Sequence, residues 1–148
     1  MKNMADKFIN RYNSYCKCVN NLQNCKTANP MDDFVIEGTV TRFNLSFDLA
    51  WKVMKDILVK RLGVLDYALG SPRGNLEAAF ANGLINDDVW IQMLKTRNQL
   101  AHDYDGSLAE RSFDQIVGEY YDAFCKFRDV VEKYYIDNPQ ELNSFSEK

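Results

Sequence analysis

Apolar residues return along this chain every three or four positions, and no window alternates with period two. That spacing places side chains on one face of a helix. Five helical segments are predicted, parted by Asn29-Pro30, Gly63, Gly70-Ser71-Pro72, Gly83 and Asp105-Gly106-Ser107. The first, over residues 5–27, carries one narrow stripe of Phe8, Tyr12, Tyr15, Val19 and Leu22. The second, over residues 33–62, is a rod of about 45 Å and the expected spine. Asp32 is its expected N-cap and Gly63 its stop. Phe43, Phe47 and Trp51 keep the helical period, which favours core packing over a platform for stacking bases. Arg42, Lys52 and Lys55 read as a solvated face.

Ser71-Pro72 opens a short third helix with a hydroxyl cap and a proline at the first position, and Gly83 closes it. Asn86 or Asp87 caps the fourth, which carries Val89, Trp90, Met93, Leu94 and Leu100. Ser107-x-x-Glu110 has the pattern of a capping box and opens the fifth. Its stripe is Phe113, Ile116, Val117, Tyr120, Phe124, Phe127 and Val131. Long helices with short joints predict an all-α fold, an antiparallel up-and-down four-helix bundle with an extra short helix. One domain is expected over residues 1–136, followed by a polar tail at 137–148.

Composition narrows the function. The 148 residues suffice for one domain with a real core. Lys and Arg number 18 against 21 Asp and Glu, a balance of −3. That argues against a broad nucleic-acid surface but leaves room for one basic pocket. No apolar run approaches the roughly 18–20 residues needed to cross a bilayer. The opening residues have no apolar signal core. A cytoplasmic protein with no membrane partner is expected. The cysteines Cys16, Cys18, Cys25 and Cys125 include no C-x-x-C pair, and His102 is the one histidine. Reduced thiols, no metal site and no cofactor are expected.

One stretch stands apart, from Lys95 to Asp105. It holds His102, with Arg97 five residues before it, Asn98 four before it and Tyr104 two after it. Histidine exchanges protons near neutral pH. Arginine clamps phosphate through paired hydrogen bonds. Together they are the parts needed to cut RNA without a metal: a base, an acid and a cation. On a straight helix Arg97 and His102 lie about 140° apart, whereas Asn98 and His102 share a face. Arg97 falls on the side of Met93, Leu94, Ala101 and Tyr104. Arg97 and His102 converge only if the helix unwinds after Leu100, or if a second copy brings its motif alongside. The plainer alternatives stay open: His102 as a helix-end cap or surface residue, Arg97 as the partner of a carboxylate, Tyr104 packed beside Ala101 and Arg97.

Arg97-Asn98-x-x-x-His102-x-Tyr104 resembles the R-x4-6-H signature of HEPN domains, in the form paired with a minimal nucleotidyltransferase. The stretch from Thr41 to Lys52 resembles the "RFE-x-x-FELAWK" helix of the nucleotidyltransferase substrate-binding protein family. Ser71-Pro72-Arg73, the stretch from Ala79 to Ile85, and Trp90 on the approach to the motif are similar to its further blocks, in the same order. Asn44 and Asp48 stand where the family usually has Glu, which weakens any carboxylate role on that helix. The resemblance covers about residues 40–134. It implies a HEPN-like bundle, a homodimer bringing two Arg97/His102 sets to one cleft, and a cognate minimal nucleotidyltransferase as partner. It implies one of two roles. In the first, the chain is a toxin-like RNase whose catalytic residues are Arg97 and His102, with Asn98 binding the RNA or nucleotide. Its partner then adenylylates Tyr104. In the second, it is a non-catalytic subunit that binds substrate for the transferase.

Overall fold

The computed structural model describes residues 4–133. The expected domain end at 136 and the polar tail at 137–148 lie outside the described residues. Helix α1 spans Met4–Gln23 and runs into a 3-10 turn, Asn24–Lys26. Helix α2 spans Val35–Lys60, α3 Pro72–Ala81 after a 3-10 turn at Asp66–Leu69, and α4 Val89–Leu100. Helices α5, Ser107–Gln115, and α6, Tyr121–Val131, are joined by a π turn, Ile116–Tyr120. The fold is all-α, with no strand among the described residues.

The expected helices form because each stripe has a surface to bury against. Phe8, Tyr12, Tyr15, Val19 and Leu22 of α1 are all buried. Arg11 pairs with Asp56 at 2.7 Å, and Arg42 donates to the Asn21 carbonyl at 2.7 Å. Residue 11 thus meets 56 while 21 meets 42, so α1 and α2 are antiparallel. Arg42, expected on a solvated face, instead ties the end of α1 to the spine. Tyr12 and Tyr15 donate their hydroxyls to the Arg128 and Phe124 carbonyls. That register sets α6 antiparallel to α1. Helix α4 runs antiparallel to the last rod: Trp90 meets Phe124 and Phe127 edge-on, and Thr96 shares a 2.8 Å hydrogen bond with Tyr120. Phe43 stacks on Tyr120 with ring centres 5.3 Å apart. Phe43 and Phe47 are core residues, as their spacing predicts. Losing any such ring to alanine costs about 3–5 kcal/mol.

The helix boundaries show where local rules suffice. Ser71 caps α3 by accepting from the Gly74 N–H at 3.0 Å. Gly63 and Gly83 adopt positive φ where α2 and α3 stop. Asp87 accepts from the Val89 N–H at 3.0 Å, so it caps α4 from one place before the N-cap, Asp88. Two expectations fail. Asp32 does not cap α2 with its side chain; Phe34 holds the N-cap position, at φ +70°, with no side-chain cap. A turn at Asn29 captures Asp32 first, through a 3.0 Å bond from its N–H to the Asn29 carbonyl. Ser107 does not form a capping box either. Gly106 takes the N-cap of α5, and Ser107 is the first helical residue.

The last rod was expected as one plain helix. Its stripe takes two four-residue steps, Ile116 to Tyr120 to Phe124, and each carries the face about 40° around an α-helix. The wider π turn absorbs that drift. Ile116, Tyr120 and Phe124 are all buried as a result.

Candidate functional site

The motif lies at the end of α4 and on the joint to α5. Helix α4 stops at Leu100. The next amides fold into tight turns: His102 N–H donates to the Gln99 carbonyl at 3.1 Å and Asp103 N–H to the Leu100 carbonyl at 3.2 Å. The helix therefore unwinds at the place the sequence required for Arg97 and His102 to leave opposite faces. His102 already lies beyond the helix, so the helical face expected for Asn98 and His102 ends before it reaches the histidine.

Asp103 makes this joint rigid. Its two oxygens accept from the Leu108 N–H at 3.0 Å and the Ala109 N–H at 2.8 Å. Asp105 accepts from the Ser107 N–H at 3.0 Å. Three amides at the positive end of α5 thus find carboxylate acceptors. The bonds from Ser107 hold the Asp105 carboxyl below the ordinary carboxylate range. The motif's own loop supplies the cap that Ser107 was expected to give. The sequence signal was Asp-x-Asp-Gly ahead of a helix, masked by the Ser-x-x-Glu pattern that follows it.

Arg97 is half-buried and donates to Asp48 at 2.8 Å; both side chains are about one-third exposed, at 33% and 32%. The carboxylate role discounted for α2 is therefore real for Asp48: it fixes one edge of the guanidinium across a sequence distance of 49 residues. Arginine has five N–H donors, so others stay available to a phosphate. Thr96, one residue earlier, is fastened to Tyr120 of the π turn. Both bonds lock α4 against its neighbours beside the motif.

His102 and Tyr104 face solvent. Tyr104 is 92% exposed, so it does not pack beside Ala101 and Arg97. The His102 and Tyr104 rings meet edge-on, with centres 6.5 Å apart. Asn98 is exposed, with no side-chain hydrogen bond among the described residues. The chain thus brings Arg97 to Asp48 and His102 to Tyr104. It records no contact between Arg97 and His102. His102 does not cap the helix with its ring.

Among the described residues, no group of three His, Cys, Asp or Glu side chains could hold a metal ion. All four cysteines are free. No described helix is long and apolar enough to cross a membrane.

A family model described as nucleotidyltransferase substrate binding protein like matches residues 10–133. The chain belongs to this nucleotidyltransferase substrate-binding protein family. The HEPN designation is consistent with that family. The match begins near the start of α1, well before residue 40, where the blocks read from the sequence begin. Most of α1, from Asn10 onward, thus falls within the matched region. The search among curated proteins found no significant match.

Proposed function

We propose that this chain is the HEPN subunit of a two-component module with a minimal nucleotidyltransferase. Two copies form a homodimer that cuts RNA without a metal, and adenylylation of Tyr104 turns it off. The observation that carries this reading is the display of His102 and Tyr104. Both rings stand in solvent, one edge-on to the other, on a joint that Asp103 holds with two hydrogen bonds. A tyrosine 92% exposed is open to a modifying enzyme, and its neighbour is the one histidine of the chain.

The chemistry follows from these parts. One His102 takes the proton of an RNA 2′-hydroxyl, and that oxygen attacks the adjacent phosphorus. The other His102, protonated, gives its proton to the departing 5′-oxygen. The products are a 2′,3′-cyclic phosphate and a free 5′-hydroxyl. Arg97 stabilises the charge that builds on the phosphate oxygens, with Asp48 fixing its orientation. Asn98 contacts the RNA through its exposed amide. In the off step the Tyr104 oxygen attacks the α-phosphorus of ATP bound to the transferase. Pyrophosphate leaves, and the phenol proton passes to the transferase. The new phosphodiester puts bulk and negative charge where RNA must enter.

A second reading has an observation of its own. The guanidinium of Arg97 is already paired with a carboxylate, which offsets its charge. That favours a non-catalytic subunit that binds substrate for the transferase. One experiment separates the two. Unmodified protein is incubated with RNA in excess chelator, with and without prior treatment by transferase and ATP. The nuclease reading expects cleavage that falls at least about 100-fold in His102→Ala while the dimer persists. Treatment silences the wild type but not Tyr104→Phe. Absence of cleavage by the unmodified dimer, with tight transferase binding, gives the protein to the second reading.

A further inference from the structure

Along one seam, α1 meets α6 through side chains that the motif does not use. Two tyrosines fix the register: Tyr15 donates its hydroxyl to the Phe124 carbonyl at 2.7 Å, and Tyr12 to the Arg128 carbonyl at 3.3 Å. Cys16 follows Tyr15 on α1, and Cys125 follows Phe124 on α6. The guanidinium of Arg128 lies between the two helices. It donates to the Cys125 sulfur at 3.7 Å and to the Asn20 side-chain oxygen at 3.3 Å. Cys16 stands one turn after Tyr12 and one turn before Asn20. Both of its neighbours along that edge of α1 therefore touch Arg128.

The other two cysteines are placed differently. Cys18 lies about 200° around α1 from Cys16. It shares a face with Arg11, which pairs with Asp56 of α2. Cys25 is buried, with its thiol near the Asn21 carbonyl and the Arg42 guanidinium. Cys16 and Cys125 are free and only half-buried, so a small oxidant reaches both. Burial pushes the Cys16 thiol up, and the Tyr12 hydroxyl and the Arg128 charge pull it partly back. One cation thus acts on both sulfurs. Packed helices stand about 8–10 Å apart, and their Cα atoms lie about 2.3 Å from each axis. Facing Cα atoms so arranged come within the roughly 4.4–6.8 Å that a disulfide spans.

We infer that Cys16 and Cys125 are a redox pair, which hydrogen peroxide converts into a disulfide that clamps α1 to α6. The Cys125 sulfur attacks one peroxide oxygen. The O–O bond breaks, the departing hydroxide leaves as water with the thiol proton, and Cys125 becomes a sulfenic acid beside the Arg128 N–H. The Cys16 sulfur then attacks the Cys125 sulfur. The S–O bond breaks, and the Cys16 proton leaves with the hydroxide as a second water. Two sulfurs have given two electrons to one peroxide. The bond closes a long loop of chain, so it restrains unfolding of the bundle. It does so whichever role the motif serves.

The test treats folded protein with hydrogen peroxide, blocks the remaining thiols with iodoacetamide and maps the peptides by mass. The wild type should lose two hydrogens, link Cys16 to Cys125 and melt at a higher temperature. Dithiothreitol should undo all three. Cys18→Ser should behave as the wild type. Cys16→Ser should stop at the Cys125 sulfenic acid, trapped with dimedone, and show no rise in melting temperature. Arg128→Gln should slow the reaction at least about tenfold. The pair is overturned if peroxide leaves both Cys16 and Cys125 open to iodoacetamide. A bridge from Cys16 to Cys18, or between two chains, overturns it as well.

Discussion

Helix α2 starts from Phe34 at φ +70° and helix α5 from Gly106 at φ +77°. The same left-handed corner is built twice with different chemistry. At α5 the residue is glycine, which adopts that corner without strain. Asp103 and Asp105 then satisfy three amides of the first turn. At α2 the residue is phenylalanine and no side chain caps the helix. The motif's joint is therefore relaxed and braced, though it displays a histidine and a tyrosine. The distant joint is strained and bare, though no candidate catalytic residue lies on it. Precision at the motif comes from hydrogen bonds rather than from a distorted backbone.

The largest effect should come from taking the brace away. Asp103→Ala removes two acceptors from α5 and is expected to cost about 1–2 kcal/mol in thermal or urea unfolding. Asp103→Asn keeps one oxygen and should lose less. An unchanged midpoint for Asp103→Ala would remove the contrast between the joints. The two corners should also respond with opposite signs. Gly106→Ala places a β-carbon in a left-handed residue and should cost about 1–2 kcal/mol, although that carbon meets no neighbour. Phe34→Gly should gain about 1 kcal/mol for the converse reason. Equal signs in the two unfolding curves would show that strain is not what separates them.

A smaller effect is set by pH. The folded Asp105 carboxyl sits below its ordinary value of 3.8. Its contribution is therefore complete above that value and lost as pH falls through the lower, folded one. A melting series taken from neutral pH into acid should show an acid limb that Asp105→Asn makes shallower. Smallest of all, Ser107→Ala should change stability by less than about 0.5 kcal/mol, because Ser107 is helical and caps nothing. A loss above about 1 kcal/mol would restore the capping box.

These outcomes bear on what the sequence could reveal. The stripes of Phe8 to Leu22 and Phe113 to Val131 were legible because a helix imposes its period locally. Ser71-Pro72, Gly63 and Gly83 were legible because a cap or stop needs only its own few residues. The ending of α4 at Leu100 was legible only as a condition for the site. The Arg97–Asp48 pair was not legible, because no local rule joins positions 49 apart. Asp48 was discounted on the strength of a family comparison, and packing of α4 on α2 decided otherwise. The capping box at Ser107 misled for a different reason. Two patterns competed for the same amides, and the aspartates upstream, presented by the Gly106 corner, won.

The π turn holds one residue more than an α-helical path between the same ends would need, and Gly118 sits inside it. Shortening the chain there by one residue lets the rod close into ordinary winding, with α5 and α6 each keeping its own face. The bundle would tolerate that deletion far better than one in α2. What it would surrender is the latch between the Tyr120 and Thr96 hydroxyls, next door to Arg97. A spacer in the last helix thereby sets how firmly the arginine's helix is anchored.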